Sequence, residues 1–367
     1  MKPEVSFIVP CYNLGHLLAE CVESILAQTY GDFELLIMDD CSPDQTPEVA
    51  RSFRDPRVQH IRNERNLGHI ANYNKAIGRA RGRYVWLISA DDRLGRSYVL
   101  ERYVRLLDAH PEVGYVFCPA IRLEDDREAG VMEFSAAGPR DAVLPGREFL
   151  QELVKYNIVQ APTAMARREC YERVSLFPAD LPYSGDWFLW CAFGLHYDVG
   201  YFAEPMVYRR YHARNISNYF WNDAVHVYVG NQIEVPWRMR RRAEALGYGA
   251  VVESARQAIV AEYVRAIAEV KVPMSLAEFA DSLTRHARDA AEARGLRAAV
   301  RAGLGDHHYW RGDFGEALAH YGAAVREDPW RVRTLAKYAL LRAGTAGVRA
   351  RELVSALRRR ARGARAA

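Results

Sequence analysis

A chain of 367 residues, half of them apolar, can bury a large hydrophobic core, and its length suggests about two domains. The net charge is only +4, and apart from an Arg-rich C-terminus the basic residues are spread through helical patterns, so nothing points to nucleic acid as a partner. The six cysteines lack the close spacing of metal or redox motifs, which predicts reduced core thiols in a cytoplasmic protein.

The first part of the chain alternates short β-branched runs with amphipathic helical patterns. Strands are predicted near 5–9, 33–38, 58–61 and 84–88, and helices near 14–28, 48–53, 70–80 and 96–110. Such alternation is typical of a mostly parallel central sheet with crossover helices. We therefore expect an α/β, Rossmann-like nucleotide-binding fold. The apolar run at 5–10 is too short for a signal peptide or a membrane span.

The second part of the chain is predicted to differ in character. A strand near 113–118, a loop-rich stretch to about 146, a helix near 186–196 and a strand near 199–202 lead to Tyr208-Arg209-Arg210-Tyr211-His212. From about Trp221 the composition shifts to Ala, Arg, Glu and Leu with helical period. We predict an α/β domain over 1–220, divided near 95, and an all-α domain over 221–367. Residues 306–343 resemble a tetratricopeptide helical hairpin.

Acidic side chains follow two of the predicted strands. Asp39 and Asp40 come at the end of the second strand, and Asp91 and Asp92 come after the fourth. Because crossover connections bring the carboxyl ends of parallel strands to one edge, we expect these four residues to form one candidate site. Carboxylate oxygens are suitable ligands for a divalent cation, which in turn binds the phosphates of a nucleotide diphosphate.

With these residues in view, the sequence resembles the family 2 glycosyltransferases, inverting enzymes with the GT-A fold, over roughly residues 4–217. Pro10-Cys11-Tyr12-Asn13 resembles the family's first loop, which implies that Tyr12 lies against the donor base. The resemblance implies that Asp40 hydrogen-bonds that base and that the loop of Asn66 and Gly68 lies close to the nucleotide. The residues assigned to donor binding are Pro10, Tyr12, Asn13, Asp40, Asn66, Gly68, Asp91, Arg209 and His212.

The same resemblance assigns the chemical steps. It implies that Asp92 binds the metal and that Asp91 lies near the donor ribose, while Ser89 departs from the commoner aspartate and leaves the ligand set open. Asp186, in Gly185-Asp186-Trp187-Phe188, matches the family's general base. His212 is expected either to bind the metal or to contact the diphosphate.

The function implied is transfer of a sugar from a nucleotide-diphosphate donor, with Mn²⁺ or Mg²⁺ as cofactor. A UDP-sugar is the favoured donor, followed by a dTDP-sugar, and the acceptor is a hydroxyl of a glycan, a lipid-linked glycan or a small natural product. Peripheral contact with the inner face of the membrane and homodimerisation through the C-terminal helices stay open, as does a solvated role for the Arg-rich run at 358–365.

Three other functions were weighed against this one. Nucleotidyl transfer would call for a glycine-rich basic loop after the first strand, which Cys11-Tyr12-Asn13-Leu14 does not provide. A nicotinamide-dependent dehydrogenase would need Gly-x-Gly-x-x-Gly at the same place, and that motif is absent. An inactive binding or scaffold protein is the remaining alternative, and the presence of Asp92 and Asp186 argues against it.

Overall fold

The computed structural model describes residues 2–124, 126–132, 137–270 and 273–344. The chain divides into two compact units between Arg256 and Gln257. The Arg-rich run at 358–365 lies outside the described residues.

The N-terminal part of the first unit has the predicted alternation of strands and helices. Its elements are β1 (Val5–Cys11), α1 (Gly15–Leu26), β2 (Phe33–Asp39), α2 (Thr46–Ser52), β3 (Val58–Arg62), α3 (His69–Ile77) and β4 (Tyr84–Leu87). These strands pair in the parallel order β3-β2-β1-β4. Every residue of β1 and β2 is buried, as expected for parallel strands covered on both faces.

The remainder of the first unit extends this sheet and adds a second one. Its elements are β5 (Arg93–Leu94), α4 (Val99–Ala109), β6 (Val113–Phe117), β7 (Ala120–Glu124), β8 (Arg127–Met132), β9 (Ala142–Leu144), α5 (Gly146–Leu153), β10 (Met165–Arg167), α6 (Arg168–Arg173), α7 (Gly185–Gly194), β11 (Asp198–Tyr201), β12 (Val207–Tyr211), α8 (Ile216–Asn222) and α9 (Val225–Ala245). The large sheet continues as β4-β10-β6-β11-β9, and the small sheet has the order β5-β12-β7-β8.

The short strand β10 is antiparallel to both of its neighbours, β4 and β6. The sheet is therefore mixed, while β6 and β11 are parallel to each other. The stretch predicted to be rich in loops up to about 146 contains β7, β8 and β9. The sequence signal was weak because β8 is mostly exposed and β9 has only three residues, so neither has a clear apolar alternation.

Two hydrophobic cores cover the faces of the large sheet. Along β2, Leu36 and Met38 belong to one core and Leu35 and Ile37 to the other, because successive side chains of a strand point to opposite faces. The helix α9 adds Val235, Met239 and Ala243 to the first of these cores. The compact units accordingly divide after α9, whereas the boundary near 220 was predicted from composition alone and stays a prediction.

The second unit is helical. Helix α10 (Gly249–Ala268) begins in the first unit and continues into the second, which also contains α11 (Leu276–His286), α12 (Ala290–Trp310), α13 (Phe314–Glu327) and α14 (Val332–Arg342). Gly305 of α12 lies so close to Tyr321 of α13 that a Cβ atom would be 2.6 Å from its ring. The small residues therefore permit close helix packing, and the tetratricopeptide assignment of this hairpin stays a prediction.

None of the helices in the described part of the chain is long and apolar enough to cross a bilayer.

Candidate functional site

A cleft of about 920 Å³ opens in the first unit. It lies where β1, β2 and β4 end, and the loops before α7 and after β12 complete its wall. The predicted site residues that line it are Pro10, Tyr12, Asn13, Asp40, Asn66, Gly68, Asp91, Asp92, Asp186 and Arg209. His212 is not part of the lining, and its Nε2 contacts Oδ2 of Asp91 at 3.0 Å.

The loops after β1 and β2 form one wall of the cleft. Asn13 and Cys41 both adopt left-handed backbone conformations, with φ of 58° and 62°, which are uncommon for residues other than glycine. The N–H of Asn13 donates to Oγ of Ser42 at 3.1 Å, which ties the two loops together. Tyr12 stands beside this contact with 49% of its surface exposed, so its ring face is available to a flat ligand.

Asp40 is a hydrogen-bonding centre beneath the same wall. Its Oδ1 accepts from Nδ2 of Asn63 at 2.7 Å and from the N–H of Leu67 at 2.9 Å, and its Oδ2 accepts from the N–H of Gly68 at 3.0 Å. Gly68 has φ of 82°, a conformation that glycine adopts without strain. Asp40 therefore holds the loop of Asn66 and Gly68 in place. Its Oδ1 accepts two hydrogen bonds from these groups, whereas its Oδ2 accepts one.

Asp39, the neighbour of Asp40, is turned the other way. It is fully buried, and its Oδ2 accepts from Nη1 of Arg62 at 2.7 Å, while the N–H of Ser42 donates to its Oδ1 at 2.8 Å. Adjacent residues at a strand end face opposite sides, so the two aspartates cannot both reach the cleft. Asp39 is a structural residue, and its inclusion in the candidate site was wrong.

Asn74 is also structural. Its Nδ2 donates to the carbonyl of Phe177 at 2.8 Å and its Oδ1 accepts from the N–H of Phe177 at 3.0 Å. Its amide therefore satisfies both backbone groups of Phe177.

The acidic segment after β4 is a tight turn, in which the N–H of Asp92 donates to the carbonyl of Ser89 at 2.9 Å. Both aspartates are 8% exposed. Oδ1 of Asp92 accepts from the N–H of Arg210 at 2.9 Å. Oδ2 of Asp91 accepts from Nε2 of His212 at 3.0 Å and from Nδ2 of Asn215 at 3.0 Å, whereas its buried Oδ1 has no hydrogen-bond partner among the residues that the structure describes.

The two neighbouring carboxyls differ in proton affinity. Burial raises the pKa of Asp92 well above its ordinary value, and the negative charge of Asp91 raises it further. Burial is the largest single influence on Asp91 and opposes its charge, but the hydrogen bonds from His212 and Ser89 and the other polar groups around it together outweigh burial and lower the pKa of Asp91. A buried like-charge pair with an unpartnered oxygen fits a divalent cation, which would neutralise both carboxylates.

This fit has a limit in the described residues. They contain no group of three or more His, Cys, Asp or Glu side chains arranged to hold a metal ion. The two aspartates would thus be the protein ligands of a cation at this place, which would take its other ligands from the substrate or from water.

Both ring nitrogens of His212 are engaged by the protein. Nδ1 accepts from the N–H of Arg214 at 3.2 Å, so the proton lies on Nε2, which donates to Asp91. In this arrangement His212 orients Asp91 and has no lone pair directed at the cleft. Its predicted role as a metal ligand stays a prediction.

The two arginines of β12 have different surroundings. Arg209 lines the cleft, donates to Oε1 of Gln160, and its charge opposes protonation of both Asp92 and Asp186. The guanidinium of Arg210 is paired with Glu20 and Asp126, and its Nε donates to the carbonyl of Asp91 at 3.0 Å. Of these two arginines, which both line the cleft, Arg210 is held by its ion pairs and supports the acidic turn, and Arg209 is the one without a carboxylate partner among the described contacts.

Asp186 enters the cleft from the first turn of α7. Its Oδ1 accepts from the N–H of Trp187 at 2.7 Å and its Oδ2 accepts from Nδ2 of Asn157 at 3.1 Å. Burial raises the pKa of Asp186, and the Trp187 N–H, Arg209 and Asn157 oppose that rise. Trp187 and Trp190, on the same helix, are buried core residues.

Sequence reasoning missed several polar residues that the fold brings to this cleft. Asn157 and Gln160 lie between α5 and β10 and contact Asp186 and Arg209 respectively. Tyr73 and Tyr183 also line the cleft. The available signal was only that Asn157 and Gln160 are polar residues in a short segment between two predicted elements.

Comparison with known proteins bears on this geometry. Residues 6–174 match the family described as glycosyl transferase family 2. An uncharacterized protein of Mycobacterium tuberculosis is 31% identical over 223 residues, which are 58% of this chain and 68% of that protein. The chain belongs to glycosyltransferase family 2.

Other curated relatives of this family 2 chain match it over shorter stretches. The succinoglycan biosynthesis protein ExoO of Rhizobium meliloti is 38% identical over 107 residues, covering 29% of this chain and 30% of that protein. The uncharacterized glycosyltransferase EpsJ of Bacillus subtilis is 30% identical over 193 residues, covering 51% and 54%. The chain thus spans about a third to a half of these two relatives.

Among solved structures, that of S. aureus TarS residues 1–349 in complex with UDP-GlcNAc superimposes with a TM-score of 0.59. The identity is 16%, and the match covers 89% of this chain and 92% of that one. At this identity the likeness establishes the fold, which is a GT-A domain followed by a helical region.

Proposed function

We propose that this protein is a metal-dependent inverting glycosyltransferase of the hexosyltransferase type. It moves a sugar from a nucleotide-diphosphate donor to a hydroxyl of a glycan, a lipid-linked glycan or a natural product. The observation that carries the proposal is that one cleft contains a buried carboxylate pair, Asp91 and Asp92, and a separate carboxylate, Asp186, hydrogen-bonded by neutral donors.

The donor side is formed by Tyr12, Asp40 and the loop of Asn66 and Gly68. The exposed ring of Tyr12 stacks on the base, and Oδ2 of Asp40, which has one protein donor, accepts a hydrogen bond from it. A UDP-sugar is the preferred donor and a dTDP-sugar the second choice. The complexes of TarS with UDP-GlcNAc and with UDP support this preference.

Asp92 and Asp91 would hold Mn²⁺ or Mg²⁺, because hard carboxylate oxygens suit these ions and the pair is short of compensating charge. The ion would stabilise the negative charge that develops on the departing diphosphate. Arg209 has its guanidinium in the cleft and adds a positive charge on the same side.

Asp186 acts as the general base. Its carboxylate removes the proton of the acceptor hydroxyl while that oxygen forms a bond to the anomeric carbon and the bond to the diphosphate breaks. A single displacement inverts the anomeric configuration. The pKa of Asp186 is raised towards neutral pH, which makes its ionised carboxylate a better proton acceptor.

Thermal unfolding with UDP, dTDP and GDP, each with and without Mn²⁺, tests donor binding, because a ligand of the folded state raises the unfolding temperature. We expect the largest rise with UDP and Mn²⁺ together. Turnover of the matching UDP-sugars, with water as the acceptor, tests catalysis. Absence of both metal-dependent nucleotide binding and turnover would identify the protein as a non-catalytic relative and overturn the proposal.

A further inference from the structure

In the part of the chain that the structure describes, Asn157 is the residue outside α7 whose side chain hydrogen-bonds Asp186. It lies in the segment between α5 and β10, and its Nδ2 donates to Oδ2 of Asp186 at 3.1 Å. The other contact of the Asp186 carboxylate comes from its own helix, through the N–H of Trp187 at 2.7 Å. The orientation of the carboxylate in the cleft therefore depends on one residue brought from a distant part of the chain.

The other end of the Asn157 amide makes this contact informative. Its Oδ1 is buried and has no hydrogen-bond partner in the described structure. An amide that served only to stabilise the fold would be expected to satisfy both of its ends. Here the amide directs Nδ2 at Asp186 and leaves Oδ1 unbonded, which is the orientation that a negatively charged carboxylate requires.

The remaining groups that act on Asp186 come from several elements. They are Arg209 of β12, Tyr73 of α3, Cys191 of α7 and Tyr183 before α7. Arg209 favours the charged carboxylate, and its guanidinium is also bound to Gln160. Burial raises the pKa values of Tyr73, Tyr183 and Cys191, so these groups stay neutral. Asn157 is thus the neutral side-chain donor to Asp186, beside the backbone N–H of Trp187.

We infer that Asn157 is a positioning residue for the general base: it holds the Asp186 carboxylate in its charged form and in the orientation that receives the acceptor proton. This inference rests on the proposed function. During transfer the acceptor O–H bond breaks and its proton passes to Asp186, while the acceptor oxygen bonds to the anomeric carbon and the diphosphate leaves with the electron pair. Rotation of the Asn157 amide then allows Oδ1 to accept a hydrogen bond from the neutral acid.

The pH dependence of donor turnover tests the inference. The assay uses the UDP-sugar that the wild-type chain hydrolyses fastest in the presence of Mn²⁺, and compares Asn157→Ala, Asn157→Asp and the wild type. Loss of the donor in Asn157→Ala should move the acidic limb of the kcat/KM profile up by about one pH unit. Asn157→Asp keeps the shape of the side chain and adds a negative charge, so it should move the limb further in the same direction.

A matched control is available on α8. Asn222 is exposed and its Nδ2 donates to the carbonyl of Asn218 at 2.9 Å, so Asn222→Ala removes an amide without approaching Asp186. Its pH profile should match that of the wild type. The rise in unfolding temperature with UDP and Mn²⁺ shows whether each variant keeps its folded donor site.

A double variant separates action through Asp186 from a general effect. In the Asp186→Asn background, Asn157→Ala should lower the residual turnover no further. A lower rate with an unshifted acidic limb in both Asn157 variants would show that Asn157 is merely structural and overturn the inference. That outcome differs from failure of the proposed function, in which the wild type itself would hydrolyse none of the UDP-sugars.

Discussion

The acidic turn after β4 and the first turn of α7 both bring carboxylates into the cleft, but they surround them differently. Asp91 and Asp92 lie side by side, and the charge of the first raises the pKa of the second. Asp186 has no second carboxylate in its hydrogen-bonding shell, which consists of a backbone N–H and an amide. The repulsion between the two carboxylates of the first arrangement suits a cation, whereas the second suits the uptake of one proton.

The sharpest test of this comparison is to remove the charge of Asp186 alone. Asp186→Asn keeps the size of the side chain but cannot accept the hydroxyl proton, so turnover should fall by about 10²–10⁴-fold. Binding of UDP with Mn²⁺ should persist, because the carboxylate pair is unchanged. Steady-state turnover and thermal unfolding measure the two effects, with Asp223→Asn on the exposed end of α8 as the control. Wild-type turnover by Asp186→Asn would contradict the assignment of the base.

The reciprocal change removes one member of the carboxylate pair. Asp92→Ala should weaken the metal-dependent binding of UDP. The loss should be at least as large as the roughly 10–100-fold that follows removal of a residue hydrogen-bonded to a metal ligand. Isothermal titration of UDP with and without Mn²⁺ measures this. The metal-independent part of the affinity should be unaltered, since Tyr12 and Asp40 lie on another wall. If Mn²⁺ strengthened UDP binding to Asp92→Ala as much as to the wild type, the metal site would lie elsewhere.

Variants of His212 test whether this residue binds the metal directly or orients Asp91. In the structure it donates through Nε2 to Asp91, so His212→Ala should lower Mn²⁺ affinity in the presence of UDP by about 10–100-fold. His212→Gln offers an amide N–H in place of the imidazole N–H and should recover most of that loss. Equal losses in both variants, measured by the same titration, would instead support direct coordination of the metal by His212.

The smallest effect concerns stability without metal. The pKa of Asp92 in the folded state is raised above its unfolded value of about 3.8, so the charged carboxylate disfavours folding at neutral pH. Asp92→Asn should therefore unfold at a higher temperature in EDTA at pH 7, by about 2–4 °C for each 1 kcal/mol gained.

The pH dependence of the difference in unfolding temperature between Asp92→Asn and the wild type tests whether the charge of Asp92 is its cause. The advantage of Asp92→Asn should shrink as the pH falls through the folded-state pKa and disappear below about 3.8, where the unfolded carboxyl is also neutral. Thermal unfolding between about pH 3 and pH 8 is the measurement, with Asp223→Asn again as the control. A destabilised Asp92→Asn at pH 7 would mean that the hydrogen bond from Arg210 outweighs the charge of Asp91.

Much of the fold around the cleft could be predicted from the sequence. The alternation of apolar runs and amphipathic helices predicted β1 to β4 in their observed positions, because a buried parallel strand needs a continuous apolar run and a crossover helix needs one apolar face. Since parallel strands end at one edge, the acidic pair and Tyr12 were expected in one cleft, and the structure brings them there.

Side-chain direction at a strand end could not be predicted in the same way. Asp39 and Asp40 are equivalent as sequence, but one is bound to Arg62 and the other to the loop of Gly68. The choice depends on which face of β2 each residue occupies, and a shift of one residue in the strand end reverses it. The same holds for Arg209 and Arg210 on β12.

The sequence by itself thus determined the fold class and, within the cleft, Tyr12 and the acidic residues Asp40, Asp91, Asp92 and Asp186. Only the tertiary structure decided that β10 enters the sheet antiparallel between β4 and β6, that His212 binds Asp91, and that Asn157 reaches Asp186. The physical reason is the range of the interactions. Periodicity and turn chemistry act between residues close along the chain, whereas these contacts join segments whose approach is decided by the packing of the whole unit.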